Sequence, residues 1–311
     1  MFKIGVQTGG VEQALGSMEK PDIDAGYRAI AEAGFDAADA NVDTLFPGKE
    51  IKAGHRSPVF DLTEKEVCAV FAPRAEAAKK YGIENYQAHA PFPSYVNCPG
   101  DPQYNDYLLE MLRRTVIGCA SMDCHRLIIH PFFLPYSEHM TPEDEWELNI
   151  ERYGKLIPAA KEYGVTICLE NMFSGFRGKL YKACCSDIDT AVKYVDTLNG
   201  IAGAKVFGFC LDTGHLLLTG QDFRDTMVKL GSRIEAFHVH DNNGMNDQHM
   251  MPFTGVGDWS RFIRGLKEIG YNKTLCFETY HMWELYPVPL ALNMFKLIAD
   301  TGRYFDSMAS K

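Results

Sequence analysis

The sequence predicts a single α/β domain, a (β/α)₈ barrel over residues 1–311. Three observations predict it. Eight short apolar runs alternate with eight longer segments of helical spacing. Glycines stand where several of those segments give way to the next run. No linker, low-complexity tract or charge run divides the chain, and barrels of this kind form one domain at about 250 residues or more.

The elements follow in order. The first run, 2–8 (FKIGVQT), leads to a helix near 22–33, and Gly34 closes that helix ahead of a strand at 35–39 (FDAAD). Thr63-Glu64-Lys65-Glu66 has the form of a capping box and opens a helix over 63–81, which Gly82 ends before strand 84–89 (ENYQAH). A helix near 103–122 precedes strand 126–130 (RLIIH). Thr141-Pro142-Glu143-Asp144 combines an N-cap, a proline at the first helical position and acids in the first turn; it opens a helix over 142–163, with Gly164 ahead of strand 165–170 (VTICLE). Helices near 186–198 and 222–230 precede strands 206–212 (VFGFCLD) and 234–240 (IEAFHVH). A helix at 259–269, ended by Gly270, precedes strand 274–279 (TLCFET), and a helix near 288–302 completes the set. Alternation of this kind makes parallel βαβ units, and a closed barrel uses all eight strands without leaving an edge. A doubly wound open sheet would want GxGxxG after the first strand, where Gly9-Gly10 stands alone. The longest insertions, about 41–62 and 241–257, both follow strands and so belong to the face where barrel active sites lie.

Composition narrows the function. A net charge of −10 disfavours a nucleic-acid partner, which needs Lys and Arg against phosphate. The nine cysteines form no CxxC pair, and several sit in apolar runs, as small buried side chains of a reducing compartment do. The N-terminus has no charged start followed by an apolar stretch, and no run approaches the roughly 20 apolar residues that span a bilayer. The expectation is a cytoplasmic protein without a membrane partner.

Chemistry gathers at the strand ends. His89, His130, Glu170 and Asp212 end the third to sixth strands, His238 and His240 lie on the seventh, and Glu278 ends the eighth. A barrel brings these ends to one mouth. A carboxylate or imidazole at the end of an apolar strand is costly to bury without a partner. Six consecutive strands with that feature point to a shared one, and a divalent cation is the simplest. Two Glu, one Asp and one His make an oxygen-rich site suited to one Mn²⁺, Mg²⁺ or Co²⁺ and tolerant of Zn²⁺. Spacing leaves both His238 and His240 as ligands, because residues two apart on a strand share a face. His55, His125 and His139 read as structural. An acid such as Asp212 can equally cap the helix after its strand.

Leu-Glu-Asn at 169–171, Leu-Asp-Thr-Gly-His at 211–215, His-Val-His-Asp at 238–241, Asp247-Gln248-His249 with Pro252 and Gly255-Val256-Gly257, and Phe-Glu-Thr at 277–279 occur in that order. In this the chain resembles the xylose-isomerase-like TIM barrel superfamily over essentially its whole length. That group includes tagatose/psicose-type epimerases, hydroxypyruvate isomerases, inosose dehydratases and zinc apurinic endonucleases. The resemblance implies Glu170, Asp212, His238 and Glu278 as metal ligands, His238 being the first residue of a His-x-x-Asp motif. It implies Glu170 and Glu278 as the proton-transferring pair, and His89, His130, His215, His240 and His249 as substrate contacts. The implied activity is isomerisation or epimerisation of a small sugar by proton transfer through an enediolate, and relatives of this kind commonly form homo-oligomers. Epimerases of the group carry Arg six residues after the strand-seven ligand. Gly244 stands there, which points to an isomerase branch with a different substrate clamp. The alternative is a zinc-dependent endonuclease-like phosphodiesterase with a multinuclear site, for which His89, His130 and Asp247-Gln248-His249 stand in matching places. Phe92, Tyr95, Phe132, Phe133, Phe173, Phe176 and Trp283 are candidate pocket walls, and Arg177 and Lys179 candidate anion contacts.

Overall fold

The computed structural model describes residues 2–138 and 140–310. Eight parallel strands make one sheet: β1 (Ile4–Gln7), β2 (Ala37–Asn41), β3 (Glu84–His89), β4 (Arg126–Ile128), β5 (Thr166–Glu170), β6 (Phe207–Asp212), β7 (Ile234–His238) and β8 (Leu275–Phe277). They pair in ring order, with β8 also beside β1. The ring closes through a parallel bridge between Val239 and Phe277, where the Val239 amide donates to the Cys276 carbonyl at 2.9 Å and the Glu278 amide to the Val239 carbonyl at 3.1 Å. The eight expected helices occupy the connections, and the expected (β/α)₈ barrel is the observed fold.

Local chemistry places the helix ends as the sequence suggests. Thr63 and Glu66 form a reciprocal capping box, and the Thr141 side chain accepts from the Asp144 amide. Gly34, Gly82, Gly164 and Gly270 all have positive φ, the conformation that stops a helix and that glycine adopts without strain. Five short elements go beyond the sequence expectation: α-helices Gly9–Leu15, Gly48–Lys52, Thr213–Leu218 and His281–Leu285, and the antiparallel hairpin of strands Phe173–Phe176 and Lys179–Lys182. Each has four to seven residues, too few for periodicity to declare it.

The barrel interior explains the site. Ile128, Cys168, Cys210 and Ala236 form one buried interior layer, and Ala37, Tyr86 and Cys276 another group inside the ring. Side chains alternate across a strand, so the residue two positions later points inward one layer higher. On each of these strands but β3, where a register shift follows Tyr86, those residues are His130, Glu170, Asp212, His238, Asp39 and Glu278. Mostly small apolar side chains, with Ile128 and Tyr86, fill the bottom, and charged ones crown the top. All nine cysteines are free and seven are buried, three of them in those interior groups. Among the described residues no helix is long and apolar enough to cross a membrane.

Candidate active site

The four expected ligands meet at one atom. His238 Nδ1 lies 2.9 Å from Glu170 Oε1, 3.4 Å from Glu278 Oε2 and 3.9 Å from Asp212 Oδ2. Its other nitrogen, Nε2, is 3.0 Å from Asp39 Oδ2, which also accepts from Gln87 Nε2 at 2.7 Å. A carboxylate on one imidazole nitrogen fixes the ring and turns the other nitrogen toward an ion. Glu170 Oε2 and Asp39 Oδ1 are buried without a hydrogen-bond partner among the described residues. An oxygen-rich donor set with an unsatisfied buried carboxylate oxygen suits a divalent cation.

The motifs explain themselves in this geometry. Asn171 accepts from the Asp212 amide and donates to its carbonyl, both at 2.9 Å, which locks the end of β5 to the end of β6. Asp212 caps helix Thr213–Leu218 by accepting from the His215 amide at 2.7 Å, and its second oxygen lies 3.0 Å from His240 Nε2. It is therefore both cap and site residue. The His240 ring lies directly against Gly214, where any Cβ would collide with it.

Electrostatics balance the acids with imidazolium. Burial pushes Glu170 up, but His238, His130 and His89 outweigh it and hold the carboxyl well below the usual range. Burial likewise opposes ionisation of Asp212, while His215 and His240 bring it down. Burial disfavours protonated His249, yet Glu278 and Asp247 raise it to about 9. Against burial, the surrounding acids raise His215 and His238 well above the ordinary imidazole value.

Around this centre lies a cavity of about 640 Å³, lined in its depth by His89, His130, Glu170, His215, Asp247, His249 and Glu278. His89 Nε2 and His130 Nε2 are 3.0 Å apart, and His130 Nε2 is 3.2 Å from Glu170 Oε2. Asp247 Oδ2 lies 3.1 Å from His249 Nε2 and 3.5 Å from His215 Nε2. Of the five expected substrate contacts, four reach the cavity wall. His240 does not: it is fully enclosed, stacked on His249 at 4.1 Å, and sits behind Asp212. Phe92, Tyr95, Phe133 and Phe173 wall the cavity as expected, whereas Phe132 packs in the core on Tyr153 and Phe176 lies against Tyr136. Arg177 and Lys179 are exposed on the hairpin and line nothing here; Arg177 lies over the Phe176 ring. His55 pairs with Glu50 and His125 with Asp123, both on the surface, and His139 lies outside the described residues.

Sequence reasoning missed Asp39, Gln7 and Gln87. Asp39 ends the second predicted strand as Glu170 ends the fifth, and the same signal would have found it. Gln7 Nε2 donates to Glu278 Oε1 at 3.2 Å, giving β1 a share in the centre.

Asp241, the acid of the His-x-x-Asp motif, is a clamp. Its Oδ1 accepts from the amides of Asn242 and Gly257, and its Oδ2 from the Gly255 amide and Trp259 Nε1, at 2.9 to 3.0 Å. Those bonds gather residues 242–257 and present Asp247 and His249 to the mouth. His249 itself has φ +46°, a strained conformation held at a site where function can use it. Asp241→Ala leaves buried donors unsatisfied and is expected to cost about 3 kcal/mol or more. The check is a urea midpoint together with proteolysis at 242–257; an unchanged midpoint would show that the loop is held otherwise.

A family model described as "Xylose isomerase-like TIM barrel" matches residues 27–298. An uncharacterised protein of Methanocaldococcus jannaschii is 27% identical over 205 residues, which cover 65% of this chain and 67% of that protein. The probable endonuclease 4 of Mycoplasma pneumoniae is 30% identical over 189 residues, 57% of this chain and 61% of its own. The solved structure of D-psicose 3-epimerase with D-tagatose from Clostridium cellulolyticum H10 shares the fold at TM-score 0.69 and 15% identity, covering 98% of this chain and 99% of its own. A D-tagatose 3-epimerase-like protein does so at TM-score 0.65 and 21% identity, covering 96% and 99%.

Proposed function

The chain belongs to the xylose isomerase-like TIM barrel family, and we propose that within it the protein is a metal-dependent isomerase or epimerase of a small sugar or sugar derivative. The observation that carries this reading is the convergence of Glu170, Asp212 and Glu278 on His238 Nδ1, with Asp39 engaging the other imidazole nitrogen. Glu170, Asp212, His238 and Glu278 would hold one divalent ion, Mn²⁺, Mg²⁺, Co²⁺ or Zn²⁺. When bound, it supplies a Lewis acid for the substrate's carbonyl and neighbouring hydroxyl.

The chain's own residues move the proton. Glu170 and Glu278 enter from β5 and β8, three strands apart around the ring, and so approach a bound sugar from different sides. One takes the proton from the carbon beside the carbonyl, leaving the substrate as its enediolate, and the other returns a proton. Return to the opposite face of the same carbon epimerises; return to the neighbouring carbon isomerises. Gln7 holds Glu278 in place, while His215, Asp247 and His249 offer hydrogen bonds to sugar hydroxyls. Incubation in D₂O with D-fructose, D-tagatose and other free ketoses and each of the four ions tests the reading. Carbon-bound deuterium is the expected result. Its absence across the panel overturns the proposal.

Asp39→Asn is expected to weaken Mn²⁺ binding about 10- to 100-fold, because an amide no longer fixes which His238 nitrogen carries the proton. Calorimetric titration measures it; unaltered affinity removes Asp39 from the centre.

A second reading has its own support. His89, His130 and Glu170 form one further potential ligand group, and His240, Asp247 and His249 another. The chain also resembles the probable endonuclease 4 over part of its length. Against this stand the net charge of −10 and a cavity whose described lining includes Lys52 alone among Lys and Arg. Three bound ions and cleavage of an abasic-site duplex would favour that reading; one ion and no cleavage favour the sugar enzyme.

A further inference from the structure

A second cavity of about 410 Å³ opens beside the first, between the segment after β1 and the segment after β8. Phe92, Glu278 and Tyr280 line both, so the two spaces meet at one of the proton-transferring carboxylates. The branch is lined further by Gln7, Gln13, Asn41 and Trp283, with Gly9 and Gly10 in its wall. A Cβ at Gly10 would lie 2.7 Å from Trp283 Cδ1 and 2.8 Å from Tyr280 Cβ. Gly10 therefore lets the indole close down on the backbone, while Gly9 lets Asn41 approach it. This gives Gly9-Gly10 a role in shaping the pocket.

We propose that this branch is a subsite for a neutral glycosyl unit, and that the substrate is a ketose or keto-sugar carrying a second sugar in glycosidic linkage. The inference rests on the isomerase/epimerase reading above and names its substrate class. Three features of the branch carry it. Side-chain amides both donate and accept, which matches hydroxyl groups that do the same. The half-buried Trp283 offers a broad apolar face for the C–H side of a sugar ring, as pocket walls with a few polar groups generally do. No Lys or Arg is among the described residues lining it, while Asp43 and Glu284 are, so a phosphate or carboxylate is repelled. The reacting unit lies in the main cavity beside Glu170 and Glu278, and the second unit points past Tyr280 toward Trp283.

The test compares D-fructose with 4-O-β-D-galactosyl-D-fructose and 6-O-α-D-glucosyl-D-fructose on the metal-loaded enzyme, reading deuterium incorporation and, separately, calorimetric affinity. At least one disaccharide is expected to exceed fructose about ten-fold in kcat/KM and in affinity. Gln13→Phe, which fills the branch from a half-exposed helix position, and Trp283→Leu are each expected to bring that ratio back toward one. Trp283 also packs on Phe295, so Gln13→Phe carries the test if Trp283→Leu fails to fold. Equal handling of mono- and disaccharide by the parent enzyme, or a ratio that neither variant alters, overturns the subsite and leaves the isomerase reading standing. Disaccharide-selective binding without exchange of any sugar overturns the reaction and upholds the branch.

Discussion

Glu170→Gln and Glu278→Gln are each expected to lower proton exchange into a ketose by about 10³-fold or more. A general acid–base group contributes about 10² to 10⁴, and each glutamate here is asked to serve as ion ligand as well. Gln keeps the shape and removes the base. Glu170 is the more demanding position. It is 1% exposed and lies within 4 Å of four imidazoles, His238, His130, His89 and His215. An amide nitrogen set against imidazole N–H donors repels where the carboxylate attracts, so Glu170→Gln should also weaken ion binding. Glu278 takes one side-chain hydrogen bond, from Gln7, and Gln there should bind the ion more nearly as the parent does. The double variant should be little worse than either alone, because groups that act as a unit are not additive. Exchange rates at saturating Mn²⁺, with circular dichroism to confirm the fold, decide the matter. A loss under ten-fold in either variant removes that glutamate from the proton path.

Much of this centre was legible because the barrel converts period-two alternation into an address. Cys168 and Glu170, Cys210 and Asp212, and Cys276 and Glu278 each pair a small interior residue with the acid one layer above it. An apolar run marks the strand, and its last inward residue marks the mouth. Asp39 closes the predicted strand 35–39 and so had the same address, but the observed strand runs on to Asn41 and its AADAN stretch lacks the large apolar run that drew attention to the later strand ends. The register against β3 also shifts between Ala38 and Asp39, where Tyr86 is the extra residue. The choice between His238 and His240 illustrates what alternation leaves open. Both point inward, and only the partners separate them: Asp39 and three acids around His238, Asp212 and the His249 ring around His240. The hairpin at 173–182 was invisible for a different reason. Its strands are short and half exposed, and two backbone bonds between Met172 and the 183–184 segment tie off its base. Those bonds depend on where β5 ends in space, which no local pattern states.

Removing the ion is expected to abolish activity while leaving the barrel folded, and the two effects have separate causes. On the proposed reading activity requires the Lewis acid, so exhaustive treatment with EDTA should bring exchange below detection, and Mn²⁺ should restore it. Stability changes by mass action. An ion present at about 1,000 times its dissociation constant stabilises the folded state by about 4 kcal/mol. In a chain longer than 250 residues each kcal/mol moves Tm by about 2 °C, so chelation should lower Tm by roughly 8 °C. It should not unfold the protein, because the acids of the centre do not face one another bare. His215, His238 and His249 stand among Glu170, Asp212, Asp247 and Glu278, and those neighbours favour the protonated form of each against its burial. Asn171 and Asp241 secure the strand ends and the 242–257 segment through hydrogen bonds that involve no ion. The protein retained after chelation should therefore keep its far-ultraviolet dichroism and rebind Mn²⁺ without a refolding lag. Full exchange activity in metal-free enzyme would refute the metal dependence. Collapse of the dichroism on chelation would show that the ion, rather than these bonds, holds the mouth together.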